Sequence, residues 1–224
     1  MIEQLSSMTE DAVEFTREVT TRWSSRLTGS FDCLACGDHL QQTLAEFCDQ
    51  TETQEFAVRP GSFLGYIRIN IVLFLIAVAA LWLERWMLAT AVSTLAIVVL
   101  VLQFFMYWEF VDFLFPKKTG QNVWGAIEPT GEVKQQVFVT AHHDSAHVFN
   151  FLQHNSRWYM VKVMAGMTAL FAIVVVSWVL LLGQWAGFEF GLLATAAKWG
   201  FVAWIPFVIT LWFFYSREGT PGAG

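Results

Sequence analysis

Residues 67–108 read IRINIVLFLIAVAALWL, then Glu84-Arg85, then WMLATAVSTLAIVVLVLQFFMYW. Two apolar runs, Ile67 to Leu83 and Trp86 to Trp108, are separated by one charged dipeptide. Each is near the roughly 20 residues that a helix needs to cross about 30 Å of hydrocarbon. Two such runs joined by two polar residues predict a tight helical hairpin in a bilayer. The pattern recurs downstream, in Val163 to Leu182 and between Leu192 and Tyr215, joined around Gly183 to Gly191. Trp82, Trp86, Trp108, Trp185, Trp199 and Trp212 fall at or near the run ends, as an interfacial aromatic belt requires. Lys198 is out of place in the fourth run unless it snorkels or lies just outside the hydrocarbon.

Composition agrees with this reading. Of 224 residues, 55% are hydrophobic and 14% charged, against about 25% charged in ordinary soluble domains. The mean hydropathy is +0.48. A net charge of −6 gives no basic footprint, which argues against a nucleic-acid partner. Three Cys cannot form a fully paired disulfide framework. Two hairpins put the N-terminus, the central segment and the C-terminus on one side. That side carries 11 Lys and Arg, and the other carries Arg85 and Lys198. The asymmetry predicts a plasma (inner) membrane protein with its polar parts in the cytoplasm. No cleavable signal peptide is visible in the polar, acidic residues 1–62.

The polar stretches have their own pattern. Residues 1–62 predict a helix over Thr9 to Trp23, a break at Leu27-Thr28-Gly29-Ser30, a helix over Asp32 to Asp49 and a strand over Glu55 to Val58. In 111–160, Asn122 to Ile127 alternates like a strand and Glu128-Pro129-Thr130-Gly131 signals a turn. Gln135 to Ala141 reads as a second strand, ending in His142-His143-Asp144-Ser145. Residues two apart at a strand end address one face. His142 can therefore act as a zinc ligand, with the Asp144 carboxylate fixing its tautomer. Alone, H-x-D also describes ordinary surface residues.

The stretch Asn122-Val123-Trp124-Gly125, a turn, a hydrophobic strand and Ala141-His142-His143-Asp144-Ser145 resembles the opening of metallopeptidase family 28. That family includes zinc aminopeptidases, aminopeptidase Y and glutamate carboxypeptidase. The R-x-x-G-S turn Arg26 to Ser30, with the helix and strand after it, is similar to the family's lead-in. The likeness covers roughly residues 10–59 and 119–150. It implies an α/β zinc-exopeptidase-like fold, here combined with four transmembrane helices. It also implies a membrane-anchored zinc-dependent exopeptidase of the aminopeptidase type acting on peptide substrates. His142 would then ligate metal, Asp144 would be the catalytic-site carboxylate that orients it, and His143 would occupy a variable position.

The resemblance also implies what is missing. The family site holds two zinc ions. Its further parts lie downstream: a bridging Asp in a G-x-x-D-N-like loop, a Glu-Glu pair, another acidic ligand and a final His. Gly219-Thr220-Pro221-Gly222-Ala223-Gly224 looks like the glycine-rich approach to that Asp. The expectation is an N-terminal portion of a longer peptidase, inactive alone, because one His and one Asp cannot hold a zinc pair and a base. Neither Glu189 nor Glu218 fits the missing roles. The alternative is a non-enzymatic membrane scaffold or partner-binding module derived from a peptidase. The expected domains are a lead-in over 1–62, a transmembrane hairpin over 63–110, peptidase strands over 111–160, a second hairpin over 161–216 and a glycine-rich loop over 217–224.

Weaker signals read as structural. Cys33-x-x-Cys36, with His39 and Cys48, has the flavour of a metal or redox site, but at helical spacing the thiols share the stripe of Leu40 and Leu44. His147 and His154 read as solvated loop residues, or as the mouth of a site. Lys117-Lys118 reads as a headgroup anchor. Asn70 and Gln103 read as interhelical hydrogen-bonding groups.

Overall fold

A computed structural model describes residues 2–222. The order is α1 (Ile2–Arg22), α2 (Phe31–Ala45), β1 (Gln50–Val58), α3 (Ser62–Trp82), α4 (Trp86–Leu100), β2 (Lys118–Ala126), β3 (His147–Phe149), α5 (Asn150–Trp185), α6 (Gly191–Thr210) and β4 (Tyr215–Gly219). The chain divides into two compact units. A polar unit takes the chain up to Pro60, Lys117–Val148 and the residues from Ser216 on; an apolar unit takes Gly61–Pro116 and Phe149–Tyr215. Beside the transmembrane hairpins expected over 63–110 and 161–216, the apolar unit takes in 61–62, 111–116 and 149–160, and Ser216 falls in the polar unit. α5 begins at Asn150, well before the apolar run, so 149–160 leaves the segment assigned to 111–160.

Within the apolar unit, four helices are long and apolar enough to cross a membrane: Ser62–Trp82, Trp86–Phe105, Ser156–Trp185 and Gly191–Phe213. At 1.5 Å per residue, the 21 residues of α3 reach about 30 Å. The α3–α4 turn closes through Glu84 at φ 58°, with Arg85 N–H donating to the Ala80 carbonyl at 2.8 Å. α3 is the central helix. Its Ile71, Phe74, Ala77, Val78 and Leu81 join Ala89 of α4, Ala169 and Ile173 of α5, and Phe201 and Val208 of α6 in one buried core. Alanines at the contacts let helices approach closely where lipid supplies no hydrophobic drive.

The polar side chains in this unit find specific uses. Lys198 Nζ donates to Glu84 Oε1 at 2.8 Å, and the Trp82 and Trp199 rings meet edge to face at 5.1 Å. The two hairpin turns therefore share one end of the bundle. At the other end the Phe149 and Phe214 rings meet at a tilt (5.0 Å), and Gly61 and Gly65 lie against the Phe115 ring. The backbone of α4 widens into a π-turn over Val101–Phe105. There Gln103 donates to Asp112 Oδ1 (2.8 Å) and accepts from Val111 N–H (3.0 Å). It ties down the returning chain, so its partners are not on another membrane helix. An interhelical side-chain bond runs from Trp178 Nε1–H to Thr94 Oγ1 at 3.1 Å.

In the polar unit β1 and β2 pair antiparallel over nine residues each, from Gln50↔Ala126 to Val58↔Lys118. This pairing carries β1 beyond the expected Glu55–Val58 and starts β2 before the expected Asn122. It also ends α2 at Ala45, short of Asp49, whose N–H already donates to the Ala126 carbonyl at 2.9 Å. β3 and β4 form a second two-stranded sheet. The expected strand Gln135–Ala141 is not formed, because no described strand edge receives it. Val137, Phe138 and Val139 are left 80%, 78% and 94% exposed. Among the described residues the sheets stay two-stranded. The expected loop over 217–224 begins as β4, and Ala223 and Gly224 lie outside the described residues.

Candidate functional site

The site is built around a sharp turn. Leu27 accepts from Ser30 N–H at 2.8 Å, and Gly29 sits at φ 72°. A Cβ at Gly29 would come 2.7 Å from Lys118 Cβ, so glycine is required for both space and backbone angle. Ser30 then caps α2, its hydroxyl accepting from Cys33 N–H at 3.2 Å.

This turn meets the His142–Ser145 segment, more than a hundred residues away in sequence. The Thr28 hydroxyl donates to Asp144 Oδ2. Asp144 Oδ1 lies 2.9 Å from His142 Nδ1, and the Asp144 carbonyl lies 3.1 Å from the same nitrogen. Both oxygens accept, so the proton belongs on Nδ1 and the Nε2 lone pair is left outward. The His142 side chain is 63% exposed. His142 and Asp144 are thus in hydrogen-bond contact, in an extended segment in place of a paired strand.

Arg26 fastens the segment from behind. It is 1% exposed, and its guanidinium donates to three carbonyls: His143 (Nε, 2.9 Å), Trp23 (Nη1, 2.6 Å) and Gly222 (Nη2, 3.1 Å). The Arg26 carbonyl accepts from Ser145 N–H at 2.8 Å. Neighbouring ties come from Gly219 N–H to Ser25 Oγ (2.7 Å) and Thr220 N–H to the Ala146 carbonyl (2.8 Å). Sequence reasoning assigned no role to Arg26 or Thr28. Both lie in the R-x-x-G-S turn, so the signal was the motif itself.

The remaining candidates separate from the site's open face. Burial pushes the Cys33 thiol up, and the Asp144 charge adds to this. Burial also pushes Cys36 up. Both are free, buried thiols, as the core-thiol reading expects. Burial pushes His143 down, against the opposing pull of Asp144. It points into the protein, near Gly37. His39 stacks on Phe15 (5.9 Å) and meets the Trp23 ring at a tilt (5.2 Å). His147 Nδ1–H donates to the Ser216 carbonyl at 3.0 Å. His154 lies on α5, not in a loop, bonded to the Asn150 carbonyl at 3.0 Å. Among the described residues no group of three or more His, Cys, Asp and Glu side chains is gathered to hold a metal. For a zinc ion, His142 offers one outward ring nitrogen with a carboxylate behind it, and among the described residues it belongs to no larger ligand group.

No family model, curated protein or solved structure matches the chain.

Proposed function

We propose that the polar unit carries the ligand-and-orienter half of a zinc-exopeptidase site, of the aminopeptidase type, on a membrane anchor. The observation that supports this most is the meeting of the two motif segments. The Arg26–Ser30 turn holds Asp144, Asp144 holds His142 Nδ1, and Nε2 is left open. Zinc bound there would act as a Lewis acid toward a peptide carbonyl. The chain's own residues orient one ligand and fix its tautomer. The other ligands and the general base must come from elsewhere.

The apolar helices would span the plasma (inner) membrane, and the excess of Lys and Arg at one end would put the polar unit in the cytoplasm. A reporter fused to the C-terminus checks that orientation. The expected activity of the purified full chain with zinc is no EDTA-sensitive peptide hydrolysis. EDTA-sensitive turnover that disappears in His142→Ala would overturn the half-site reading. A chain in which His142 has no affinity for zinc would instead be a membrane scaffold.

A further inference from the structure

Among the described residues of the apolar unit Lys198 has a carboxylate partner, and Arg68 and Lys162 are instead placed over aromatic rings. Arg68 lies six residues into α3, and Lys162 six residues into the apolar stretch that begins at Ser156. At 1.5 Å per residue both Cα atoms lie about 9 Å inside the starts of their apolar stretches. The Arg68 guanidinium sits over Tyr215 (4.6 Å) and Trp212 (5.6 Å). It makes one long hydrogen bond, 3.4 Å, to the Trp212 carbonyl. Lys162 Nζ sits over Phe151 at 4.3 Å. Phe151 meets Phe214 edge to face at 5.8 Å, and Phe214 also meets Tyr159 at 6.0 Å. The two cations therefore flank one aromatic cluster at the bundle end away from the hairpin turns.

The contrast with Lys198 is what points to a ligand. At the hairpin end, Lys198 is neutralised within the protein by Glu84. Among the described residues neither Arg68 nor Lys162 forms an ion pair with a carboxylate. Ring faces hold the cations but accept few of their N–H bonds, and a guanidinium has five to place. Long basic side chains near helix ends reach outward to the headgroup layer. An acceptor there that is anionic, multidentate and abundant is a lipid phosphate.

We propose that Arg68 and Lys162, either side of the Phe151–Phe214 cluster, bind the headgroup of an anionic phospholipid. This rests on the membrane-spanning reading of the four helices. The test uses the full chain in nanodiscs of phosphatidylcholine with phosphatidylglycerol as the minor lipid. Lipid retained after mild extraction is counted by native mass spectrometry. Two basic groups near the surface favour the anionic lipid by about tenfold or more, so the wild type should retain phosphatidylglycerol at that enrichment.

The pair Arg68→Gln and Lys162→Gln should reduce the retained lipid to the bulk ratio. The charge-keeping pair Arg68→Lys and Lys162→Arg should hold it, and so should Lys198→Gln. Inorganic phosphate at millimolar concentration should not displace the lipid. Retention equal to the bulk ratio in the wild type overturns the proposal, as does displacement by free phosphate. A chain that floats with pure phosphatidylcholine vesicles yet shows no headgroup preference sinks only the lipid site. A chain that stays in solution without detergent sinks the membrane reading itself.

Discussion

Replacing Arg26 by methionine removes three donated hydrogen bonds while keeping most of the apolar volume. Trp23 is buried and His143 is half-buried, so their carbonyls lose a donor without full access to water. Gly222 is exposed, and its carbonyl rehydrates. A buried acceptor left unpaired costs about 1–3 kcal/mol, so two of them cost about 2–6 kcal/mol. Relief from burying a charge offsets part of this, which brings the expected loss to about 2–4 kcal/mol. The assay is amide exchange in the full chain. Ser145 N–H donates to the Arg26 carbonyl and Gly219 N–H to Ser25 Oγ, so both report on the clamp. Their protection should fall by about 30- to 1000-fold at 1.4 kcal/mol per factor of ten. Arg26→Lys keeps the charge without the planar fork and should recover less than half of the loss. Unchanged protection at Ser145 and Gly219 in Arg26→Met would refute the clamp.

Three further outcomes are expected. Thr28→Val removes the hydroxyl that donates to Asp144 and should let the neutral His142 ring populate its Nε2–H tautomer, while Thr28→Ser should not; two-bond proton–nitrogen spectra of the ring check this. Gly29→Ala should destabilise the polar unit by about 1–3 kcal/mol, from a positive φ and the clash with Lys118, read as a lower melting temperature. Cys33 and Cys36 should alkylate more slowly than Cys48. Their folded pKa values lie above the ordinary 9.0, so their contribution to stability is complete below pH 9.0 and is lost as pH rises through the folded values. Equal labelling rates for all three thiols would contradict this burial.

The apolar helices are legible because a run of about 20 apolar residues has few soluble uses. Even Lys198 is legible as an anomaly, although its partner Glu84 lies 114 positions away and periodicity cannot see it. Gln135–Ala141 shows the opposite limit. Its alternation and β-branched residues suit a strand, but a strand also needs an edge to pair with, and local sequence carries no information about that edge. Arg26 defeats composition for a similar reason. An arginine beside polar residues reads as solvated, and only the convergence of three distant carbonyls explains its burial. His142 and Asp144 were readable as a pair from their spacing. The turn that holds them was readable only as a motif without a mechanism.

The half-site reading meets its most direct test in a zinc titration of the full chain in detergent, followed through the ring nitrogens of its histidines. The His142 Nε2 resonance should move first, His142→Ala should abolish the effect, and Asp144→Asn should weaken binding by about tenfold or more. Zinc that perturbs Cys33, Cys36 or His39 while His142 stays silent would contradict the assignment of this site.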